Sequence, residues 1–493
     1  MKVCVLQPDY STSDVDYQHY DPARNLAALL PTDQVDHVLL NKLTTYKQLK
    51  ELRKKKYDIY VNLCEGYLDW SVPSIDVINS LDSLNLPYTG PNAILYDPPK
   101  PLMKYVAYCA GVNNPNFAEV NSTKNLEEKV KHLTFPLFVK PAKAGDSLGV
   151  DEHSLANDIF QLQSKIEDLI AEGYDDILVE EYIAGQEYTV LVAANVNSAG
   201  CKALSPIEYQ FPKGFKFKTY ALKTSELHTD VNKPCTNKEV EAKLKSAAEK
   251  IFNGFSGVGY ARLDFRVNKD LEVYFLEINF TCSVFYENGY EGSADYILQY
   301  DSIGKAGFLK HIIAEGIARH EARQKKYKVK GNSINGYGII AQKPLRKGEV
   351  IFQIEETAQR IVTKRYVEKN WNTEQLEVFR QYAYPISDEV YILWDHKPQN
   401  WAPQNHCCNP NTVYDGLNLI ALKDIGVDEE LTLDYADLLD DNIQSFVCTC
   451  GSANCRKIVS GSMENSITQR EKFSWKERMI VNKSDSDLNS AVG

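Results

Sequence analysis

The stretch RLDFRVNKDLEVYFLEINF, residues 262–280, decides how this chain folds. It reads as two strands joined by VNKD. Within it the polar residues Arg262 and Asp264, and then Glu277 and Asn279, interrupt apolar sequence at a spacing of two. Strand side chains alternate between the two faces, so each pair points to one face. An Asp, a Glu and an Asn amide oxygen converging there are hard oxygen ligands suited to Mg²⁺ shared with phosphates. A solvent-facing side of a hairpin is the plainer reading, but it leaves unexplained why the acids sit beside large apolar residues in LEIN.

Working outward, VKPAKAGDSLGV at residues 139–150 places Lys140 at the end of an apolar strand, followed by small residues. These let the backbone approach a phosphate closely. Taken alone, a glycine-bearing turn after a strand is more often only a turn. Upstream, to about residue 95, short apolar runs (VCVL, DHVLL, YDIYVNL) alternate with helical segments, as βαβ units with a parallel sheet would. Residues 96–195 read as a helix around Lys104 to Cys109, the strand FPLFVK, a glycine-containing loop, a helix from Ala156 to Ile170 and the strand ILVEEYI. Residues 196–320 add a basic loop and a helix from Lys238 to Phe252 ahead of the hairpin. The composition then shifts to RHEARQKKYKVKG, a helix end running into a linker at 321–332. Beyond it lie many short β-like segments, and a polar tail, 461–493, reads as frayed.

Composition limits the function classes. The chain has 493 residues, enough for about three structural units at roughly 150 residues each. With 43% hydrophobic and 25% charged residues it is too polar for a membrane-embedded protein. No apolar run approaches the roughly 18 to 20 residues that span a bilayer, so no membrane association is expected. A net charge of -12 disfavours nucleic acid, and RKKK at 53–56 reads as a solvated helix end. The start, MKVCVLQPDY, lacks the layout of a secretory signal and reads as a buried strand. Eleven cysteines without such a signal fit a reducing, cytoplasmic compartment better than a disulfide framework.

Taken in order, VNLCEG, LPYTGPNA, the Lys104 helix ending in AGV, FPLFVKPAKAGDSLGV, LVEEYIAGQEYTV, RLDFRV and FLEINF resemble the ATP-grasp superfamily, most closely its D-alanine:D-alanine ligase branch. The resemblance implies three subdomains, at 1–95, 96–195 and 196–320. It also implies ATP and Mg²⁺ as cosubstrate and metal, and formation of an amide through an acyl phosphate. By that similarity Lys104 and Lys140 contact phosphates, and Gly145 and Ser147 belong to the loop over them. Glu180 lies near the adenine and Glu187 near the ribose. Asp264, Glu277 and Asn279 hold magnesium, Arg262 steadies the transferring phosphoryl group, and Lys216 or Lys218 comes over the site on a lid. Phosphoryl transfer depends on positioning and charge neutralisation, which suits a site of lysines, an arginine and metal. The sequence departs from the ligase pattern after Asn279, where TCSVFYENGY replaces a small Ser-Pro-Gly turn. That points to an amino-acid or peptide substrate larger than D-alanine or differently shaped.

A second constellation comprises NHCCNPN at 405–411, EELTLDY at 429–435 and CTCGSANCR at 448–456. Cys448, Cys450 and Cys455, with Cys408 as the fourth thiolate, can complete a tetrahedral Zn²⁺ site. Free thiols in a flexible tail are the alternative. Cys407 reads as a small buried neighbour. With NGYGIIAQKPLRKGEVI upstream, these segments resemble a β-rich SET domain at 333–445 followed by a post-SET zinc motif at 446–460. The resemblance implies S-adenosylmethionine bound by Gly336, Tyr337, Asn405 and His406, with Tyr435 as the catalytic tyrosine. Methyl transfer needs a neutral amine aligned with the methyl–sulfur bond, so orientation does most of the work. FQIEETAQ and WDHKPQNWAPQ depart from the histone-methylating pattern, so a histone substrate is not implied.

The chain thus reads as a bifunctional enzyme, a carboxylate–amine ligase joined to an S-adenosylmethionine-dependent N-methyltransferase. One rival is a protein-lysine methyltransferase whose ATP-grasp region only senses a ligand. Another is a non-catalytic adaptor that binds nucleotide and zinc.

Overall fold

The computed structural model describes residues 1–13, 19, 21–68, 70–143, 148–211, 214, 217–218, 231–332, 336–353, 359–385, 389–394, 402–415, 418–437 and 445–460. Gly145, Ser147, Lys216 and the tail 461–493 lie outside the described residues. The chain divides into two compact units, Met1–Arg323 and Gln324–Gly493. Among the described residues, no helix is long and apolar enough to cross a membrane.

Among the described residues, three sheets build the first unit. β1 (Lys2–Pro8), β2 (Gln34–Leu40) and β3 (Ile59–Asn62) run parallel in the order β2-β1-β3. Val3 to Leu6 on the central strand are fully buried, as a parallel strand covered on both faces requires.

The second sheet, β4 (Phe117–Val120), β5 (Leu137–Pro141), β6 (Leu155–Ala156) and β7 (Ile177–Glu181), is antiparallel in the order β4-β7-β5-β6. Leu162, Ile166 and Leu169 of the helix Ile159–Ala171 pack onto Val139 and Val179. This helix starts later than the sequence predicts, because Asp158 caps it. The Asp158 carboxylate accepts from the backbone N–H of Phe160 at 3.0 Å and of Gln161 at 2.9 Å, which leaves Leu155 and Ala156 to β6. The helix Lys100–Cys109 starts earlier than predicted. Pro101 stands in its first turn, where the missing N–H has no intrahelical partner to lose.

The third sheet comprises β8 (Gln186–Ala194), β9 (Cys201–Ala203), β10 (Ile207–Tyr209), β11 (Asn232–Pro234), β12 (Tyr260–Val267) and β13 (Val273–Asn279). Its order is β11-β10-β8-β12-β13, with β9 paired to β8. One face takes Leu244, Ile251 and Phe252 of the helix Lys238–Gly254 against Val190, Leu263 and Phe275. The other buries Leu191 and Ala193 with Ile297, Phe308 and Ile312 of the helices Ser293–Tyr300 and Gly304–Arg323, and reaches Val3 and Val61 of the first sheet.

A buried arginine stitches the first and third sheets together. Arg24 is 2% exposed, and its guanidinium donates to the carbonyls of Val284 at 3.0 Å and Leu63 at 3.1 Å. Asp21 at 3.1 Å and Glu65 at 3.6 Å supply its counter-charges, and the Tyr286 ring lies 4.7 Å away. Ser283 donates to Glu65 at 2.6 Å, while Tyr10 at 2.6 Å and Tyr286 at 2.8 Å donate to Asp21.

The second unit is made of short strands. Gly336–Ala341 lies between Tyr327–Asn332 and Glu430–Leu433, and Asn405–His406 adds to the latter in parallel. Val350–Phe352, Asn418–Ala421 and Thr412–Asp415 form a second sheet. Gln359–Thr363, Val390–Trp394 and Ala383–Pro385 form a third. Ile339, Leu419, Ala421 and Leu431 centre the core. Near the end of the described chain, Phe446–Val447 pairs with Ile458–Val459.

Removing one partner from a buried ionic network leaves the other charges uncompensated. Arg24→Met is therefore expected to cost the first unit about 3–5 kcal/mol in urea unfolding of the full chain. A loss below about 1 kcal/mol would mean that Asp21 and Glu65 do not depend on this guanidinium.

Candidate functional sites

The decisive hairpin aligns its polar residues across the strand pair. Arg262 stands opposite Asn279 and Asp264 opposite Glu277, so all four share one face. The register then shifts between Asp264 and Phe265, where Phe275 becomes the next partner and Leu276 is the extra residue of a β-bulge. Leu276 and Glu277 both line a cleft with about 800 Å³ of open space. Asp264 is held in place by Thr189, which donates to it at 2.8 Å, and by Arg262 at 3.3 Å. The Asn279 Nδ2 is buried without a hydrogen-bond partner. Two carboxylates and an amide oxygen on one face form a donor set that fits a hard divalent cation.

Phe138, Leu148, Val150 and Ile183 supply an apolar wall to the same cleft, and Lys100, Lys140, Glu180 and Glu187 its polar lining. Glu180 on β7 is clamped between two ammonium groups, Lys140 at 2.6 Å and Lys104 at 2.9 Å. Burial opposes the Glu180 charge, but Lys104 and Lys140 overcome it and hold the carboxyl at about 2. Burial brings Lys104 down to about 8 against the pull of Glu180. Lys104 is 1% exposed, with Phe275 O its other partner at 3.4 Å, and so it stands behind Glu180 rather than on the cleft wall. Lys100, one turn earlier on the same helix face, takes the wall position, and burial lowers its pKa.

Glu187 on β8 sits opposite Arg266, whose guanidinium lies 3.5 Å from it, and Lys218 reaches it at 2.7 Å. Burial works against the Lys218 charge, but Glu187 and Asp264 outweigh it and raise its pKa. Next to Lys218, Phe217 lies edge-on to Phe138 at 5.0 Å, which brings this part of the basic loop over the cleft. Lys100, Arg266, Thr189 and Leu276 were not singled out from the sequence. The i,i+4 spacing of Lys100 and Lys104 was the one local signal available.

In the second unit a Cβ on Gly338 would come within 2.7 Å of Glu430 Oε1 and 2.8 Å of Asn405 Nδ2, two atoms already bonded to each other at 2.6 Å. A side chain here would have to displace the ends of these two side chains. The backbone of Gly336 continues this strand, and the Tyr337 side chain is 52% exposed. Tyr435 follows the strand Glu430–Leu433, and its hydroxyl donates to the Gln404 carbonyl at 2.6 Å. Its ring lies 5.4 Å from that of His406 and 5.9 Å from that of Phe446.

The sulfur residues converge beside that tyrosine. One ligand atom each from His406, Cys408, Cys448 and Cys450 lies within 4.8 Å of all the others. Cys408 and Cys448 sulfurs are 3.8 Å apart, and Cys455 packs into the same cluster with its Sγ 3.7 Å from the Cys448 carbonyl. Backbone donation from Cys408 and the Ser452 hydroxyl bring the Cys450 thiol down to about 5, whereas burial pushes Cys448 up to about 12. Thiolates and an imidazole at this separation fit zinc by donor type and number. Cys407 stands outside the group and donates to the Asn409 carbonyl at 3.5 Å. Asp434 and Arg456, which pair with each other, were also missed in the sequence.

Comparison with known proteins finds two family matches. The family model D-ala D-ala ligase C-terminus matches residues 106–284, and the SET domain model matches residues 336–436. A D-alanine–D-alanine ligase of Lactococcus lactis subsp. cremoris is 30% identical over 206 residues, 40% of this chain and 57% of that protein. The Legionella pneumophila enzyme is 36% identical over 159 residues, 31% of this chain and 42% of its own length. The chain thus spans about half the length of these relatives. Among solved structures, the D-alanine–D-alanine ligase from Bacillus anthracis complexed with ATP is 19% identical, with a TM-score of 0.49 over 66% of this chain and 100% of that one. Residues 106–284 are a D-ala D-ala ligase C-terminus domain of the ATP-grasp class, and residues 336–436 are a SET domain, joined in one polypeptide.

Proposed function

We propose that this protein is a bifunctional enzyme, an ATP-dependent carboxylate–amine ligase joined to an S-adenosylmethionine-dependent N-methyltransferase. The observation that carries the ligase reading is the cross-strand alignment of Arg262 with Asn279 and of Asp264 with Glu277, the second pair standing on the cleft wall.

In this reading Asp264, Glu277 and Asn279 hold Mg²⁺, which would neutralise phosphate charge during transfer. Lys140 and Lys100 meet the phosphates from the cleft wall, and Lys104 fixes Glu180 from behind. Gly145 and Ser147 belong to the loop after Lys140, and Lys216 to the loop that carries Lys218. Glu187, Lys218 and Arg266 bound the nucleotide on its polar side, with Glu180 near the base and Glu187 near the ribose. Arg262 faces the transferring phosphoryl group, whose delivery to a carboxylate gives an acyl phosphate. An amine then displaces phosphate. The acceptor is an amino acid or peptide other than D-alanine, because Thr281–Tyr286 differs from the ligase turn and engages Asp21, Arg24 and Glu65.

In the second unit Gly336, Tyr337, Asn405 and the His406 backbone receive S-adenosylmethionine, Tyr435 lines the transfer channel, and the thiolates of Cys408, Cys448, Cys450 and Cys455 hold Zn²⁺. The methyl acceptor is an amine, small or on a protein lysine.

Untargeted mass spectrometry of products formed with ATP, Mg²⁺, mixed amino acids and peptides, and isotope-labelled S-adenosylmethionine tests both halves. An amide product and a methylated amine are expected. Label confined to protein lysines, with no phosphate released under any acid, would replace this reading by a lysine methyltransferase with a ligand-sensing ATP-grasp region. In the same assay Glu277→Gln is expected to lower phosphate release by at least about 100-fold, as loss of a charge-stabilising group does, and to leave methyl transfer in place.

ATP affinity also depends on pH in a defined direction. Lys104 ionises at about 8, so its charge is complete below that pH and is lost as pH rises through it. Glu180 stays ionised throughout, and the neighbourhood of the phosphates becomes more negative. Calorimetry should show ATP binding weakening above pH 8, by up to about tenfold per pH unit, a dependence absent from Lys104→Met. A flat profile in the wild type would exclude Lys104 from the nucleotide site.

A further inference from the structure

The second and third sheets, which together bound the cleft, are joined by residues 182–185, the connection from β7 to β8. On one side the backbone N–H of Tyr182 donates to the Pro136 carbonyl at 3.0 Å, next to β5. On the other side two contacts fasten the connection to β12. A Cβ on Gly185 would collide with the Val267 carbonyl, so the two backbones touch there. Beside this contact stands Arg266, only 4% exposed. Its Nη1 donates to the Tyr182 hydroxyl at 2.8 Å and to the Ile183 carbonyl at 3.1 Å, while its Nη2 lies 3.5 Å from Glu187 Oε2. The guanidinium also faces the Tyr182 ring at 4.8 Å and the Phe211 ring at 5.5 Å. One planar cation thus ties the connection to the first acid of β8, a task that suits a rigid fork of donors.

We propose that Arg266 is a positioning residue that sets the sugar specificity of the cleft: it aligns the Glu187 carboxylate with the 182–185 connection, so that a seated nucleotide presents its ribose hydroxyls to Glu187. The inference rests on the reading that the cleft binds ATP. Tyr182, Ile183, Glu187 and Arg266 all line that cleft. A carboxylate accepts hydrogen bonds and repels phosphate, so the part of a nucleotide that meets it must donate, and the ribose hydroxyls are its donors on that side. A cation stands at each carboxylate oxygen, Lys218 at 2.7 Å from Oε1 and Arg266 at Oε2. Lys218 comes from a loop, whereas Arg266 is on a strand paired on both sides. The strand therefore fixes the direction of Oε2 through Arg266, and the same guanidinium fixes how far the acid stands from Ile183, which belongs to the apolar wall.

Calorimetry on the full chain with ATP and with 2′,3′-dideoxy-ATP, each with Mg²⁺, reads the hydroxyl contact as a ratio of affinities. The wild type should favour ATP by at least about tenfold, as hydrogen bonds to a charged group do. Arg266→Met should weaken ATP by about that factor, leave the dideoxy nucleotide nearly unaffected, and bring the two within about twofold of each other. A role confined to stability predicts the wild-type ratio in this variant, with both ligands weakened equally or not at all, and that outcome would overturn the proposal.

Arg266→Lys keeps the buried charge and carries the test if the methionine variant does not fold. An ammonium cannot span Tyr182, Ile183 and Glu187 as the fork does, so the ratio should again fall, by at least about threefold. A wild-type ratio in Arg266→Lys, or a wild type that binds both nucleotides equally, would also overturn the proposal. A wild type that binds neither would remove the nucleotide reading of the cleft itself.

Discussion

The antiparallel pairing of Tyr260–Val267 with Val273–Asn279 is the constraint on which the first unit's chemistry depends. Because strand side chains alternate, one register decides which residues share a face, and slipping it by one would turn Asp264 from the cleft toward the core. Three features pin the register. Leu263, Phe265, Phe275 and Ile278 bury the opposite face under the helix Lys238–Gly254. On the far side Gln186–Ala194 pairs with the first strand along its length, placing Thr189 beside Asp264 and Glu187 beside Arg266. The Asn268 side chain closes the turn by accepting from the backbone of Asp270 at 3.0 Å and of Glu272 at 2.9 Å. Packing and turn chemistry thus place the polar face, and the polar residues need no contact of their own to find it.

That is why this part of the site was legible in the sequence. Arg262, Asp264, Glu277 and Asn279 lie within eighteen positions, and period-two alternation is a local property. The bulge at Leu276 was not legible, since nothing in VYFLEINF says which residue lacks a partner. Lys100 was passed over for a different reason. It follows Pro98 and Pro99 and precedes Pro101, a pattern that reads as a helix boundary, yet a first-turn proline is compatible with helix and carries Lys100 onto the face of Lys104. The Arg24 network joins residues as much as 265 apart, and no periodicity encodes such a meeting. In the second unit the cysteine spacing pointed to metal, whereas the roles of Asp434 and Arg456 needed coordinates.

Electrostatics decide how the cleft is held. Lys104 and Lys140 would be costly to bury alone, and Glu180 offsets both. Glu187 does the same for Lys218 and Arg266. The cations of the cleft are therefore positioned by carboxylates that belong to the fold. In the proposed ligase an incoming phosphate would compete for Lys140, which is on the wall, more readily than for Lys104, which is enclosed. Glu180 accordingly keeps one partner when it yields the other, and the buried carboxylate is never left without a counter-charge.

The same logic bears on the acceptor side. After Asn279 the chain runs through Thr281–Tyr286, and its polar groups are already committed: Ser283 to Glu65, the Val284 carbonyl to Arg24 and the Tyr286 hydroxyl to Asp21. A ligand seeking hydrogen bonds from these groups would have to break bonds that join two sheets, at a cost comparable to opening a buried ion pair. In the proposed ligase, selectivity for the amine would consequently fall to shape and to groups that have no such duty. On that reading, a ligase that uses this turn to fasten its sheets would differ in substrate choice from one that leaves it open, even where the proposed phosphate and metal faces are alike.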